Sequence, residues 1–213
     1  GLPATVANGT NRIGVLLQSI VATRSFKQKQ LFVWSEAIEY LVPASAGAIL
    51  GASVAVSLNE QLMQRIIGGL LVFMFFVVLY KPERWVNNAK PLLLNPFLRL
   101  LRGLAFFLVG FYGGFIQAGV GYFLLASFVF FTGSNLLKSN ALKVLLTMVF
   151  TAFALVVFMA NHEVDYFIGL LLGLGSMAGA WLAAKLAITR GAVFVRYFLL
   201  ATLLVFSIKL LFF

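Results

Sequence analysis

Long apolar runs constrain this chain more than any motif in it. A helix needs about 20 apolar residues to cross the hydrocarbon core of a bilayer, which is about 30 Å thick. Apolar residues make up 62% of the chain and charged residues 10%, against roughly 45–50% and 25% in a soluble domain. The sequence therefore predicts an all-α polytopic membrane protein. Six segments approach the length of a span: 5–23, 42–58, 62–80, 142–160, 166–188 and 193–213.

The composition also excludes several classes of function. The formal net charge is +10, but the Lys and Arg residues stand singly between apolar runs, so nucleic-acid binding is not expected. The chain has no cysteine, and its one histidine, His162, lies in a polar connection. A thiolate or histidine metal site, a Ser/His triad, a cofactor and an enzymatic activity are therefore not predicted. No Gly-xxxx-Gly-Lys loop is present, which argues against direct use of ATP.

A seventh apolar segment, 103–132, is about 30 residues long and too long for one untilted crossing. Irregular backbone at membrane depth is tolerated only where protein or a wet cavity surrounds it. We expect this segment to break, or to fold back as two half-helices. Its middle is rich in glycine: Gly110, Gly113, Gly114, Gly119 and Gly121.

The chain contains an approximate internal repeat, in which a polar helix, a small-residue helix and an apolar helix follow one another. Residues 1–80 form the first predicted repeat, 81–102 a basic cytoplasmic linker and 103–213 the second repeat. A counterpart of the Gly-rich segment is expected before Gly1. The alternative is that membrane helices resemble one another in composition. The matching features are Asn8 and Asn11 with Asn140 and Lys143, Gly47-xxx-Gly51-Ala52 with Gly175-xxx-Gly179-Ala180, and Arg65 with Arg196.

Lys and Arg residues orient these helices, because they are enriched in cytoplasmic connections. The connections 59–61 and 161–165 carry acidic residues and no Lys or Arg, whereas the other connections are basic. Both ends of 103–132 are then cytoplasmic, which predicts a re-entrant hairpin or two short spans and two inverted repeats, a transporter architecture. A single full crossing would give parallel repeats, but would place Lys185, Arg190 and Arg196 outside.

The few polar residues within the spans fall on two helical faces. Asn140, Lys143, Thr147 and Thr151 recur at spacings of three and four, and Asn8, Asn11, Arg12 and Ser19 form a similar stripe. Inserting an ionisable side chain into a span costs roughly 2.5–3.5 kcal/mol of free energy, so such residues are rare and mark functional sites. Each stripe offers one cation and several hydrogen-bonding groups, and two opposed stripes would suit a small anion. The alternative is that Arg12 and Lys143 only reach toward the lipid headgroups.

Gln117, Gly119 and Gly121 lie in the middle of the Gly-rich segment. Half-helices that begin there would point backbone N–H groups at an anion, although tight packing or a plain kink would also explain the glycines. The Gly-xxx-Gly pairs 47/51 and 175/179 are predicted to be packing faces. The complete predicted substrate-binding set is Asn8, Asn11, Arg12, Gln117, Gly119, Gly121, Asn140, Lys143 and Thr147.

Several motifs in this order resemble the sulfite exporter TauE/SafE family of membrane permeases. They are Gly1-Leu2-Pro3-Ala4-Thr5-Val6-Ala7-Asn8-Gly9-Thr10-Asn11-Arg12, Gly113-Gly114-Phe115-Ile116-Gln117-Ala118-Gly119-Val120-Gly121, Ser139-Asn140-Ala141-Leu142-Lys143 and Gly175-Ser176-Met177-Ala178-Gly179-Ala180. Many members have a Gly-Gly-Gly run where this chain has Ala118-Gly119-Val120-Gly121. The resemblance covers essentially the whole chain and implies efflux of sulfite or small organosulfur anions across the bacterial cytoplasmic membrane.

The leading hypothesis is therefore a multi-pass permease of the bacterial inner membrane. It would export a small anion, sulfite or an organosulfonate, by alternating access between two inverted repeats. The alternative is a membrane scaffold or sulfur-delivery partner without transport activity, which would dock a protein through the basic linker around Trp85. The expected partners are the solute and the lipid bilayer, and the oligomeric state, a homo-oligomer included, is left open.

Overall fold

The computed structural model describes residues 1–28, 30–32, 34–79, 95–134, 136–179, 200–202 and 204–206. These residues form α-helices and short connections, and none of them lies in a β-strand. Residues 200–202 and 204–206 are also helical. The helices are α1 (Ala4–Gln28), α2 (Trp34–Ser57), α3 (Glu60–Leu79), α4 (Pro96–Phe115), α5 (Val120–Thr132), α6 (Leu136–Ala160) and α7, described as Tyr166–Gly179.

Three of the described helices are long and apolar enough to cross a membrane: Glu36–Ser57, Pro96–Phe115 and Leu137–Ala160. The all-α membrane architecture predicted from the sequence is confirmed at this level. Several predictions fall on residues outside the described part of the chain. These are the linker residues 81–94, most of the predicted span 193–213, residues 180–188 of the span before it, and Tyr80, Ala180, Lys185, Arg190 and Arg196.

The Gly-rich segment breaks, as predicted, between α4 and α5. Helix α4 ends at Phe115, α5 begins at Val120, and the turn between them contains two left-handed residues, Gln117 (φ 70°) and Gly119 (φ 73°). A side chain at Gly119 would also overlap Met74 of α3, so this position combines a strained backbone with close packing.

Helix α4 begins at Pro96, about two turns before the expected start at Gly103. The side chain of Asn95 accepts a hydrogen bond from the Leu98 N–H at 2.8 Å, and Pro96 occupies the first turn, where its missing N–H costs nothing. The N-terminal cap thus extends the helix beyond the apolar run.

The two helices of the broken segment form a hairpin whose ends lie together. Arg102 of α4 pairs with Glu39, and Thr132 at the end of α5 lines a cavity that Glu39 also lines. Phe106 of α4 packs on Phe128 of α5, with ring centroids 4.8 Å apart. The segment therefore folds back as two helices, of which α4 is long and apolar enough to cross a membrane. Helix α5, with 13 residues, rises only about 20 Å.

The bundle therefore has two chemically distinct ends. At the basic end, where α1 ends and α2, α4 and α6 begin, Arg102 and Lys138 pair with Glu39 and Glu36, and Arg24 and Lys27 add positive charge. The acidic end carries Glu60, Glu163 and Asp165, where α1, α3 and α7 begin. Helices α1 and α6 pack together and run in opposite directions between these ends.

Small residues allow α2 and α4 to pack against each other more extensively than any other pair among helices α1 to α6. A Cβ atom added to Gly110 or Gly114 of α4 would overlap the backbone oxygens of Ala44 or Ala48. The same holds for Gly47 and Gly51 of α2 against the α4 backbone, so this pair is a packing face, as predicted. Gly175 and Gly179 meet no described atom within 4 Å at the Cβ position.

We predict that Gly114→Ala lowers the unfolding free energy by about 1–3 kcal/mol, because the obstructing atom belongs to rigid backbone and the helices must separate. The matched control is Gly69→Ala in α3, where the added Cβ meets nothing within 4 Å. Thermal unfolding of the two purified variants in detergent measures the difference. Equal melting temperatures would contradict the packing role of this seam.

Candidate functional site

The tip of the hairpin, residues 115–119, is held by side chains of α1. The last carbonyl oxygens of a helix have no partner within it. Asn8 Nδ2 donates to the Phe115 oxygen at 2.7 Å, and Arg12 donates from Nη1 to the Gly113 oxygen at 3.0 Å and from Nη2 to the Gly114 oxygen. Since Asn8 and Arg12 lie one turn apart, α1 satisfies three consecutive carbonyl groups of α4.

Arg12 is completely buried, and no described carboxylate pairs with it. Its guanidinium lies 4.6 Å from the centre of the Phe158 ring, and its Nε has no hydrogen-bond partner among the described residues. The partial negative charge at the C-terminus of α4 lies against the guanidinium and favours the cation there. Arg12 therefore neutralises a helix end in the core of the bundle.

The tip is also attached to α6 on its other side. Gln117 Nε2 donates a hydrogen bond to Thr151 Oγ1 at 2.7 Å, and Gln117 Oε1 lies 3.5 Å from Arg12 Nη1. The Tyr112 hydroxyl donates to the Ala118 oxygen, which ties the turn to α4. All of these groups are at least partly buried, so the left-handed Gln117 is held by hydrogen bonds to two neighbouring helices.

One cavity of about 270 Å³ lies beside the tip, between α1, α5 and α6, and we call it the lysine cavity. Lys143 is the one charged residue in its lining. The Lys143 chain runs along Gly121, where an added Cβ would lie 3.5 Å from Cδ and 4.0 Å from Nζ. The cavity thus combines a cation with amide and hydroxyl side chains, and it lies beside the first turn of α5. The lining residues are Val15, Gln18, Ser19, Ala22, Gln117, Val120, Gly121, Lys143, Val144 and Thr147.

A second cavity of about 330 Å³ lies on the opposite side of the tip, and we call it the asparagine cavity. Its charged residue is Glu60, whose carboxylate accepts hydrogen bonds from the Ala4 N–H at 2.8 Å and from Gln64 Nε2 at 2.6 Å. Its lining contains no Lys or Arg. The lining residues are Leu2, Ala4, Ala7, Asn8, Asn11, Glu60, Gln64, Ile67, Ile116 and Ala118.

A third cavity of about 430 Å³ lies at the basic end, and its lining includes Glu36, Glu39 and Lys138. Glu36 pairs with Lys138 at 2.7 Å, and Glu39 pairs with Arg102, whose guanidinium also lies 5.1 Å from the centre of the Tyr40 ring. These contacts join α2 to α4 and to α6. The described residues contain no group of three or more His, Cys, Asp or Glu residues that could hold a metal ion.

The nine predicted site residues do not share one cavity. The lysine cavity contains four of them, and the other five lie on α1, in the turn before α5 and in α6. Gln18, which sequence reasoning missed, also lines the lysine cavity; it follows Asn11 by two helical turns, a spacing that could have identified it. Gln117, Gly121, Lys143 and Thr147 line the lysine cavity, Asn8 and Asn11 the asparagine cavity, Arg12 lies in the core beside the tip, Gly119 packs on Met74, and Asn140 is half-buried one turn before Lys143.

The chain is similar to known membrane proteins along nearly its whole length. The family described as Sulfite exporter TauE/SafE matches residues 1–210. "Probable membrane transporter protein ORF9" of Sinorhizobium sp. is 28% identical over 211 residues, covering 99% of this chain and 80% of that protein. "Probable membrane transporter protein" of Haemophilus influenzae is 24% identical (92% and 76% covered), and "Probable membrane transporter protein YfcA" of Escherichia coli K12 is 25% identical (100% and 78% covered). No solved structure matches the chain significantly.

We predict that Asn8→Ala lowers the unfolding free energy by about 1–3 kcal/mol, because it leaves the Phe115 oxygen without its donor. The neighbouring Asn11→Ala is the matched control. Asn11 is exposed, so its removal should change stability by no more than about 0.5 kcal/mol. Thermal unfolding in one detergent compares the pair, and equal losses of stability would contradict the capping role of Asn8.

Proposed function

Since this chain belongs to the sulfite exporter TauE/SafE family, we propose that it is a secondary transporter that exports a small anion. The proposed substrate class is sulfite or a small organosulfonate, and the proposed location is the bacterial inner membrane. The relatives named as probable membrane transporters support transport as the activity. The observation that carries the proposal is the lysine cavity, in which a half-buried cation meets hydrogen-bonding side chains at a broken helix.

The chemistry of the lysine cavity suits an oxyanion. Lys143 supplies a full positive charge. The same lining contains the amide of Gln117, which donates one hydrogen bond to Thr151, and the hydroxyl of Thr147, which donates to the Lys143 carbonyl oxygen at 2.9 Å. Gly121 lies in the first turn of α5, where the positive end of the helix dipole favours an anion and the absent side chain leaves the backbone accessible. Gln18 and Ser19 of α1 add two more polar groups. We propose these six residues as the anion site.

The positions of the polar groups suggest a route through the protein. The asparagine cavity opens beside Asn8 and Asn11 on the acidic side of the tip, and the lysine cavity lies on its other side. We propose that the anion passes from one cavity to the other, with Asn11 as a contact on the route. No nucleotide-binding loop occurs in the sequence, so the proposed driving force is an ion gradient or the gradient of the anion itself.

We further propose that residues 1–80 and 103–213 are inverted repeats joined by the linker 81–102, with the basic end in the cytoplasm. The opposite directions of α1 and α6, which carry the two polar stripes, support this proposal. The hairpin formed by α4 and α5 also supports it, because the two ends of the hairpin lie together at the end proposed to be cytoplasmic. Transporters of this type bind their substrates at the interface of the repeats.

We predict that Lys143→Ala reduces anion flux in proteoliposomes about tenfold or more, since it removes a charge-assisted hydrogen bond. Lys143→Arg keeps the charge and should retain more flux than Lys143→Ala. The matched control is Lys27→Ala, which removes an exposed lysine in the last turn of α1 and should leave flux unchanged. Uptake of sulfite, sulfate, thiosulfate and ethanesulfonate is measured for each variant.

Two outcomes of this experiment would contradict the proposal. Flux of Lys143→Ala at the wild-type rate would remove the lysine cavity as the site. Absence of flux for all four anions with wild-type protein would instead favour the membrane scaffold or sulfur-delivery partner, or a transporter of another solute.

A further inference from the structure

The hairpin tip is a thin barrier between two cavities. Ile116 and Ala118 line the asparagine cavity, while Gln117, between them in the sequence, lines the lysine cavity. Successive residues of the turn thus face opposite sides. Any solute that moves between these two cavities must displace the tip or pass around it.

Arg12 bonds the last turn of α4, directly before the tip, and reaches Gln117 within the tip. Its two terminal nitrogens reach the Gly113 and Gly114 oxygens, and lie 3.5 Å from Gln117 Oε1 and Asn8 Oδ1. It lines neither cavity and is completely buried. A cation that attracted the substrate directly would need to reach one of the cavities, and among these residues Lys143 does so.

The geometry at Arg12 requires a guanidinium and not merely a positive charge. A planar fork of N–H groups can bond two neighbouring carbonyl oxygens and a side-chain amide at once, whereas the single ammonium of lysine presents its donors from one point. The acceptors are neutral, and no described carboxylate holds the arginine in place. The bonds can therefore be exchanged without separating an ion pair.

We propose that Arg12 is a positioning residue that keeps the hairpin tip closed between the two cavities, and that the tip opens when Arg12 releases the carbonyl groups of α4. The role of this closure in anion movement rests on the proposed function, whereas the separation of the two cavities by the tip does not. Lys143 binds the anion, and Arg12 controls passage across the tip. The two cations thus have separable roles, which charge-conserving substitutions distinguish.

The experiment uses the absence of cysteine from the natural sequence. Single cysteines are introduced in α1 as Ala7→Cys, in the asparagine cavity, and Ala22→Cys, in the lysine cavity. A membrane-impermeant thiol reagent is applied to either side of proteoliposomes that contain the full chain in a determined orientation. Each cysteine is expected to react from its own side: Ala7→Cys from the acidic end and Ala22→Cys from the basic end.

Arg12→Lys is then added to each cysteine variant, and we expect labelling from the opposite side to accelerate about tenfold or more. The matched control, Arg24→Lys, changes an exposed arginine of the same helix and should leave labelling one-sided. Thr151→Val, which removes the acceptor of Gln117, should act in the same direction as Arg12→Lys. If Arg12→Lys does not fold, the labelling of Thr151→Val decides the test.

Kinetics separate a positioning role from a merely structural one. Arg12→Lys should change the maximal flux of the anion and leave its half-saturating concentration within about twofold, while Lys143→Arg should mainly change the half-saturating concentration. One-sided labelling in both Arg12→Lys and Thr151→Val would overturn the proposal. Because labelling requires no substrate, this failure is distinguishable from a failure to transport sulfur anions.

Discussion

A helix that ends inside a membrane leaves carbonyl oxygens that water cannot reach, and the rest of this structure depends on how those oxygens are satisfied. Each unsatisfied group in hydrocarbon costs several kcal/mol, so a broken helix requires donors from neighbouring segments. Asn8 and Arg12 supply them to α4 from one face of α1. This requirement brings α1 against the hairpin, buries a full positive charge in the core, and determines where the tip lies between the two cavities.

The same requirement explains why two cations at similar positions in the two polar stripes have different surroundings. Arg12 faces the C-terminal end of α4, where the helix dipole is negative, and its two terminal nitrogens donate to neutral carbonyl oxygens. Lys143 lies near the start of α5, where the dipole is positive, and borders a cavity. Breaking one helix thus creates two ends of opposite polarity within a few residues, one matched by Arg12 and the other bordering the lysine cavity.

Much of the fold follows from local patterns. The apolar runs, the glycines in 103–132 and the acidic or basic connections predict helices, a break and a hairpin with both ends on one side, and the structure has each of these in its described part. The start of α4 was less predictable, because the Asn95 cap and Pro96 lie outside the apolar run. The packing role of Gly47 and Gly51 follows from their spacing. The identity of their partner, α4, could not be predicted, because spacing carries no information about which helix packs against a face.

By itself, the sequence determined that this chain is a helical membrane protein of one family, and it placed most of the polar residues within the spans on two helical faces. Periodicity places those residues on a face, but it does not say how deep two helices lie relative to each other or at what angle they cross. Only the tertiary structure decided that Asn8 and Arg12 bond the end of α4, that Gln117 joins Lys143 and Thr147, and that Asn11 lies across the tip from them. Those choices depend on the contacts of α1 with α6 and of α2 with α4, which join residues far apart in the chain.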